Sequence, residues 1–149
     1  MFYARFRGMR YRIVVEEKRC TGCRACELAC SFQQKKAFHY DFSLIHAVKN
    51  KAMEGFFIPV LCYHCEDPPC AKKCPTDAIE RDDASGIVRI DSEKCTGCAI
   101  CMDACPWAIP RINSEENMAS ICNLCNGDPL CVKFCSPGAL LFEIEGSGS

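Results

Sequence analysis

The chain has few long apolar stretches. No run approaches the 18 or so apolar residues of a membrane-spanning helix, so no membrane span is expected. Neither charge is in excess: 18 Lys and Arg stand against 19 Asp and Glu, a formal net charge of −1. No basic stripe or acidic block stands out, which excludes the usual electrostatic footprint of a nucleic-acid partner. The N-terminus, MFYARFRGMRYRIVV, has Arg5, Arg7, Arg10 and Arg12 interrupting every apolar run, so it lacks the core of a signal peptide. A cytoplasmic protein is the expectation. The apolar share is thin as well, 49% with cysteine counted and about 38% without it.

Cysteine is abundant: 16 of the 149 residues, above the level at which cysteine begins to replace apolar burial as the organiser of a small fold. Disulfides, zinc or iron–sulfur clusters can use so many. Disulfides call for an oxidising compartment, to which nothing at the N-terminus points.

The cysteines form four groups of four: Cys20, Cys23, Cys26, Cys30; Cys62, Cys65, Cys70, Cys74; Cys95, Cys98, Cys101, Cys105; and Cys122, Cys125, Cys131, Cys135. Every group ends in a three-residue gap. The first and third share Cys-Thr-Gly-Cys and a short second gap. In the second and fourth that gap widens and carries Asp67-Pro68 and Asp128-Pro129. Two motif types therefore alternate along an internal repeat.

Short strands are expected at residues 11–15 and 140–144, paired with each other, and in hairpins at 78–81 with 87–90 and at 44–48 with 56–60. The three-residue gaps suit single helical turns, and long helices are not expected. Residues 146–149 read as a flexible Gly-Ser tail.

Cys-x2-Cys-x2-Cys-x3-Cys-Pro, intact over Cys95 to Pro106, is the bacterial ferredoxin run. Three cysteines at three-residue intervals in a tight loop aim three thiolates at one cubane, and the loop's N–H groups spread the sulfide charge. The fourth starts a helical turn and serves the neighbouring cluster. Pro75 and Pro106 follow such fourth cysteines. Gly22 and Gly97 are read as letting the backbone approach a cluster. Zinc ribbons use two Cys-x2-Cys pairs, which leaves the third cysteine of each run unexplained. Sixteen thiolates divide into four [4Fe–4S] clusters without remainder, so no iron is left open for catalysis.

Residues 57–79, FIPVLCYHCEDPPCAKKCPTDAI, resemble the second motif of the four-cluster ferredoxin-like subunits that serve molybdenum and tungsten oxidoreductases, formate-linked systems and some hydrogenases. All four motifs match in order. The fourth, CNLCNGDPLCVKFCSPGA at 122–139, is similar to the small subunits accompanying tungsten enzymes of the aldehyde:ferredoxin oxidoreductase type.

The resemblance implies an α+β fold of tandem, nested bacterial-ferredoxin-like units, with short antiparallel hairpins and short helices around four clusters. Residues 1–48 and 114–145 would form the outer unit and 49–113 the inserted one. It also implies the ligand sets. Cys20, Cys23, Cys26 and Cys135 would hold one cluster, and Cys122, Cys125, Cys131 and Cys30 its neighbour. Cys62, Cys65, Cys70 and Cys105 would hold a third, and Cys95, Cys98, Cys101 and Cys74 the fourth. Two departures stand out. Cys30 is followed by Ser31 and the polar run Gln33 to Lys36, and Cys135 by Ser136, with proline delayed to Pro137.

Four closed clusters imply electron transfer without a catalytic site of the chain's own. The implied partner is a catalytic oxidoreductase subunit of molybdenum/tungsten-pterin or hydrogenase type, with a flavoprotein or ferredoxin as the second redox partner. Self-stacking of copies would extend the wire. The alternatives are a freestanding soluble polyferredoxin and a zinc-structured binding module. Loaded with clusters, the chain would carry a charge of about −9, so the basic residues near the motifs (Lys18, Arg19, Arg24, Lys72, Lys73, Lys94 and Lys133) either face that charge or form an ordinary solvated surface. His64 has no ligand vacancy to fill, and His39 and His46 lie outside the motifs. Trp107 is expected to pack over a cluster. The aromatic-basic arm of Phe2, Tyr3, Phe6, Arg5, Arg7 and Arg10 reads either as a docking element or as a strand on the protein's own surface.

Overall fold

The computed structural model describes residues 9–113 and 115–146. The arm up to residue 8 and the tail from residue 147 lie outside the described residues. The elements run β1 (Met9–Val15), α1 (Ala25–Lys35), β2 (His46–Lys49), β3 (Phe57–Val60), α2 (Pro69–Lys73), β4 (Ile79–Arg81), β5 (Val88–Ile90), α3 (Ile100–Ala104), β6 (Arg111–Asn113), β7 (Met118–Ser120), α4 (Leu130–Lys133) and β8 (Leu140–Gly146). The strands form four two-stranded sheets, β1 with β8 and the hairpins β2–β3, β4–β5 and β6–β7. This is an α+β fold of short pieces. No described helix is long and apolar enough to cross a membrane.

Proline limits helix length in motifs two and three. Cys74 and Cys105 each precede a proline, which disfavours helical ψ, and both are extended, with ψ of 117° and 125°. The helices α2 and α3 therefore stop at five residues. Ser31 follows Cys30, the restriction is absent, and α1 continues to 11 residues. It is built largely from good helix formers, and the Ser31 hydroxyl donates to the Leu28 carbonyl at 2.9 Å. Here the helix runs on beyond the single turn expected of the three-residue gap. The hairpin β6–β7 was not expected either, since its three-residue strands alternate too briefly to register.

Packing gathers the described chain into two compact units, each discontinuous in sequence. One holds residues 9–12, 63–113, 115–123 and 143–146, the other 13–62 and 124–142. The joints between these units fall near residues 62 and 123. The reason is local packing. Ala47 N–H donates to Glu27 Oε1 at 2.8 Å and Phe57 lies against Gly22, which ties β2–β3 to motif one. Ala119 N–H donates to Cys95 Sγ, which ties β7 to motif three.

In the first unit Ile79, Val88, Cys101, Ala119 and Ile121 form a buried cluster, with Cys70, Cys74 and Cys95 among the side chains packed on it. In the second unit Ile45, Leu61, Leu124 and Leu140 are almost fully buried.

Candidate functional site

Each cysteine group is a loop, a helical turn and a second loop. In motifs one and three the residue after the second cysteine, Arg24 or Ala99, is left-handed, with φ of 62° and 66°, and caps the following helix. In motifs two and four the residue before the second cysteine is left-handed, His64 or Leu124. Their Asp-Pro steps recur in three dimensions. Pro68 and Pro129 are extended caps of α2 and α4, and each preceding aspartate pairs across the first turn, Asp67 with Lys72 and Asp128 with Lys133. Lys94 pairs with Glu80 and Arg24 with Glu27. Four of the seven basic residues noted near the motifs are thus engaged by carboxylates.

The turn after the fourth cysteine also repeats. Asp77, Ala108 and Gly138 stand three residues beyond Cys74, Cys105 and Cys135, with φ of 52°, 50° and 70°, and their N–H groups donate to those cysteines' carbonyls. The next N–H then meets sulfur: Ala78 donates to Cys74 Sγ and Ala139 to Cys135 Sγ, both at 3.3 Å. The displaced proline of motif four leaves this turn intact. Motif one has no such turn, and Cys30 Sγ takes its hydrogen bond from Leu44 N–H, 14 residues on. Cys95 Sγ takes one from Ala119, 24 residues on. Ala78 and Ala139 each stand four residues after the cysteine they serve, whereas Leu44 and Ala119 carry no sequence signal.

In the second unit Cys26 faces Cys20 and Cys135, and Cys131 faces Cys30, Cys125 and Cys26, all at electrostatic range. In the first unit Cys70 faces Cys105 and Cys65, and Cys101 faces Cys70 and Cys95. A cavity there is lined by Cys74, Cys95, Cys98 and Cys101, with Thr76, Ile79 and Ala119. Its cysteines are three of motif three and the last of motif two. Among the described residues, no three His, Cys, Asp or Glu side chains converge as a mononuclear site requires. Four thiols spread around a cavity suit a group with several irons better than one ion. Cys23 and Cys98 are exposed, and Cys62 and Cys122 are partly buried.

Burial pushes Cys26 and Cys131 up to about 12, with neighbouring thiols adding to both and the Glu27 carboxylate to Cys26, so metal binding at these thiols displaces protons. Burial also acts against ionisation at Cys74, but the N–H groups of Thr76 and Ala78 and the Thr76 hydroxyl outweigh it and lower its pKa.

Protein packing also constrains the two glycines. At φ of +71° and +72°, a Cβ on Gly22 would strike the Phe57 ring and one on Gly97 the Asn117 carbonyl oxygen. They are required by protein packing around the loops. Trp107 is 53% exposed and tilts against Tyr63, centroids 4.8 Å apart.

His64 is buried, and its Nδ1 accepts the Val88 N–H at 2.9 Å. Burial first, then Arg81 and Arg89, push its pKa down to about 4, which makes it a neutral acceptor. Leu124 occupies the matching position of motif four. His64→Leu removes the acceptor and is expected to lower stability by about 1–3 kcal/mol, with iron content unchanged. Thermal melting and iron analysis of the holoprotein check this.

Residues 53–145 match the family described as a 4Fe-4S dicluster domain. The chain belongs to that family. It carries four [4Fe–4S] clusters and is an electron-transfer protein, not a catalytic subunit. Among relatives, it is 37% identical over 123 residues to the polyferredoxin-like subunit of an aliphatic sulfonate oxidoreductase of Pyrococcus furiosus, covering 83% of this chain and 70% of the relative. It is 37% identical over 144 residues to the thiosulfate reductase electron transfer subunit PhsB of Salmonella typhi, covering 89% and 74%. A chain in the solved active site complex BamBC of benzoyl coenzyme A reductase, in complex with zinc, shares the fold, with a TM-score of 0.54 and 23% identity over 95% of this chain and 82% of that one.

Proposed function

We propose that this protein relays electrons between a catalytic oxidoreductase subunit and a second redox protein. The observation that carries the reading is the recurrence of complete four-cysteine groups in a chain of the dicluster family. That relatives are themselves named as subunits favours a dedicated subunit over a freestanding polyferredoxin. The Asp-Pro gap of the fourth motif favours a tungsten-type catalytic partner. A reducing compartment such as the cytoplasm suits sixteen thiolates. Oxygen-free purification from the native source, with identification of what accompanies the chain, tests the reading. A large pterin-containing protein is the expected companion, and a chain recovered alone and fully loaded supports the freestanding carrier instead.

The fold is read as two ferredoxin-like units, one within the other. We assign Cys20, Cys23, Cys26 and Cys135 to one cluster and Cys122, Cys125, Cys131 and Cys30 to another. Cys62, Cys65, Cys70 and Cys105 hold the third, and Cys95, Cys98, Cys101 and Cys74 the fourth. The cavity shared by Cys74 with three motif-three cysteines supports this exchange of fourth ligands. Cys105→Ser is expected to disturb the same Mössbauer component as Cys65→Ser, about a quarter of the iron, and to spare the component lost in Cys98→Ser. The opposite pattern overturns the assignment.

A further inference from the structure

The cavity lined by Cys74 and three motif-three cysteines is also lined by Thr76. Its Oγ1 lies 3.7 Å from Cys74 Sγ. A metal-bound cysteine is a thiolate and has no proton to give, so the hydroxyl is the donor of that pair. The Ala78 N–H reaches the same sulfur at 3.3 Å. Thr76 is half-buried, and Ile79, Ile90 and Ala119 supply apolar wall around the cavity, which strengthens a hydrogen bond made there. Motif three offers a comparison within the same unit. The turn after Cys105 repeats the turn after Cys74, with Ala108 at φ of 50° matching Asp77 at 52°. Two residues past Cys105, however, stands Trp107, which has no hydroxyl, and its ring tilts against Tyr63. The same backbone turn thus follows both cysteines, and the hydroxyl follows one.

We infer that the Thr76 hydroxyl donates a hydrogen bond to the Cys74 thiolate and raises the reduction potential of the cluster that Cys74 helps to hold. The inference rests on the ligand assignment proposed above, in which Cys95, Cys98 and Cys101 share that cluster. Reduction adds one electron, and part of the new negative charge falls on the ligand sulfurs. A donor at sulfur stabilises that added charge more than it stabilises the oxidised form, and so favours reduction. The hydroxyl keeps its proton throughout, so the electron alone is transferred. Thr76 acts through Cys74, as a positioning residue of the relay. It biases the electron toward this cluster over its neighbour in the unit.

The test is a redox titration of the full chain loaded with its clusters, with dithionite as the electron source, followed by EPR and Mössbauer spectroscopy. Thr76→Val is expected to make one cluster about tenfold harder to reduce, a midpoint lower by ~59 mV for one electron, and to leave the other midpoints in place. Thr76→Ala should give the same shift, which separates loss of the hydroxyl from the way valine packs. Thr76→Ser returns the hydroxyl and should restore the wild-type potential. The shift should not vary with pH, since no proton moves. The component that shifts should be the one lost in Cys98→Ser. Unchanged midpoints in the valine and alanine variants overturn the inference. So does a shift that serine fails to reverse, which would mark packing as the cause. A shift that serine reverses but that falls on the component lost in Cys65→Ser upholds the hydrogen bond and overturns the ligand assignment beneath it, a separate result.

Discussion

Removing the iron and sulfide is expected to abolish cooperative unfolding altogether. In the unit holding motifs two and three, Cys101 is part of a buried cluster with Ile79, Val88, Ala119 and Ile121, and Cys70, Cys74 and Cys95 pack directly against it. Without the inorganic groups those sulfurs line empty space, and the apolar burial that is left does not offset the entropy of ordering the chain. In the unfolded metal-free chain Cys26 and Cys131 are ordinary thiols, protonated at neutral pH. Reloading should therefore release protons as it restores the fold. The loss is the whole folding free energy, on the order of 5–15 kcal/mol. Calorimetry and circular dichroism on the chelator-treated protein measure it, and a sharp melting transition in the iron-free chain would falsify the expectation.

The second large effect is expected at Gly97→Ala. The new Cβ meets a backbone carbonyl, that of Asn117, which cannot rotate aside as a side chain does. Asn117 is itself left-handed, with φ of 51°, in the turn between β6 and β7. Pushing that turn away also withdraws the Ala119 N–H from Cys95 Sγ. Left-handed strain of about 1–2 kcal/mol adds to the clash. The variant should lose about a quarter of its iron or more, read by iron analysis and absorbance near 400 nm. Gly22→Ala should be milder, because the Phe57 ring it meets is a side chain. Gly55→Ala is the control. Its φ is +84° but nothing lies within 4 Å, so it carries the backbone strain alone and should keep full iron. Equal iron loss in all three would show that the left-handed backbone, not the contact, is what matters.

Much of the chain was legible because its information is local. The three hairpin or strand pairings read from the sequence all form; the two hairpins are set by apolar residues beside a turn, while β1 and β8 come from opposite ends of the described chain. The displaced proline of motif four proved unimportant, because Gly138 still makes the turn. The missing proline of motif one mattered more. It freed α1 to continue for three turns and raised Phe32 and Phe38 into a stacked pair.

The cysteine inventory, the alternation of motif types and the family were settled by sequence, because a cluster-binding loop is short and its spacing is a property of the covalent chain. Which amide reaches Cys30 or Cys95, why Gly97 admits no side chain, and where the joints between units fall were settled only by tertiary structure. Each of those depends on a residue 14 or more positions away, Leu44, Asn117 or Ala119. Packing alone brings such residues beside the loops they complete.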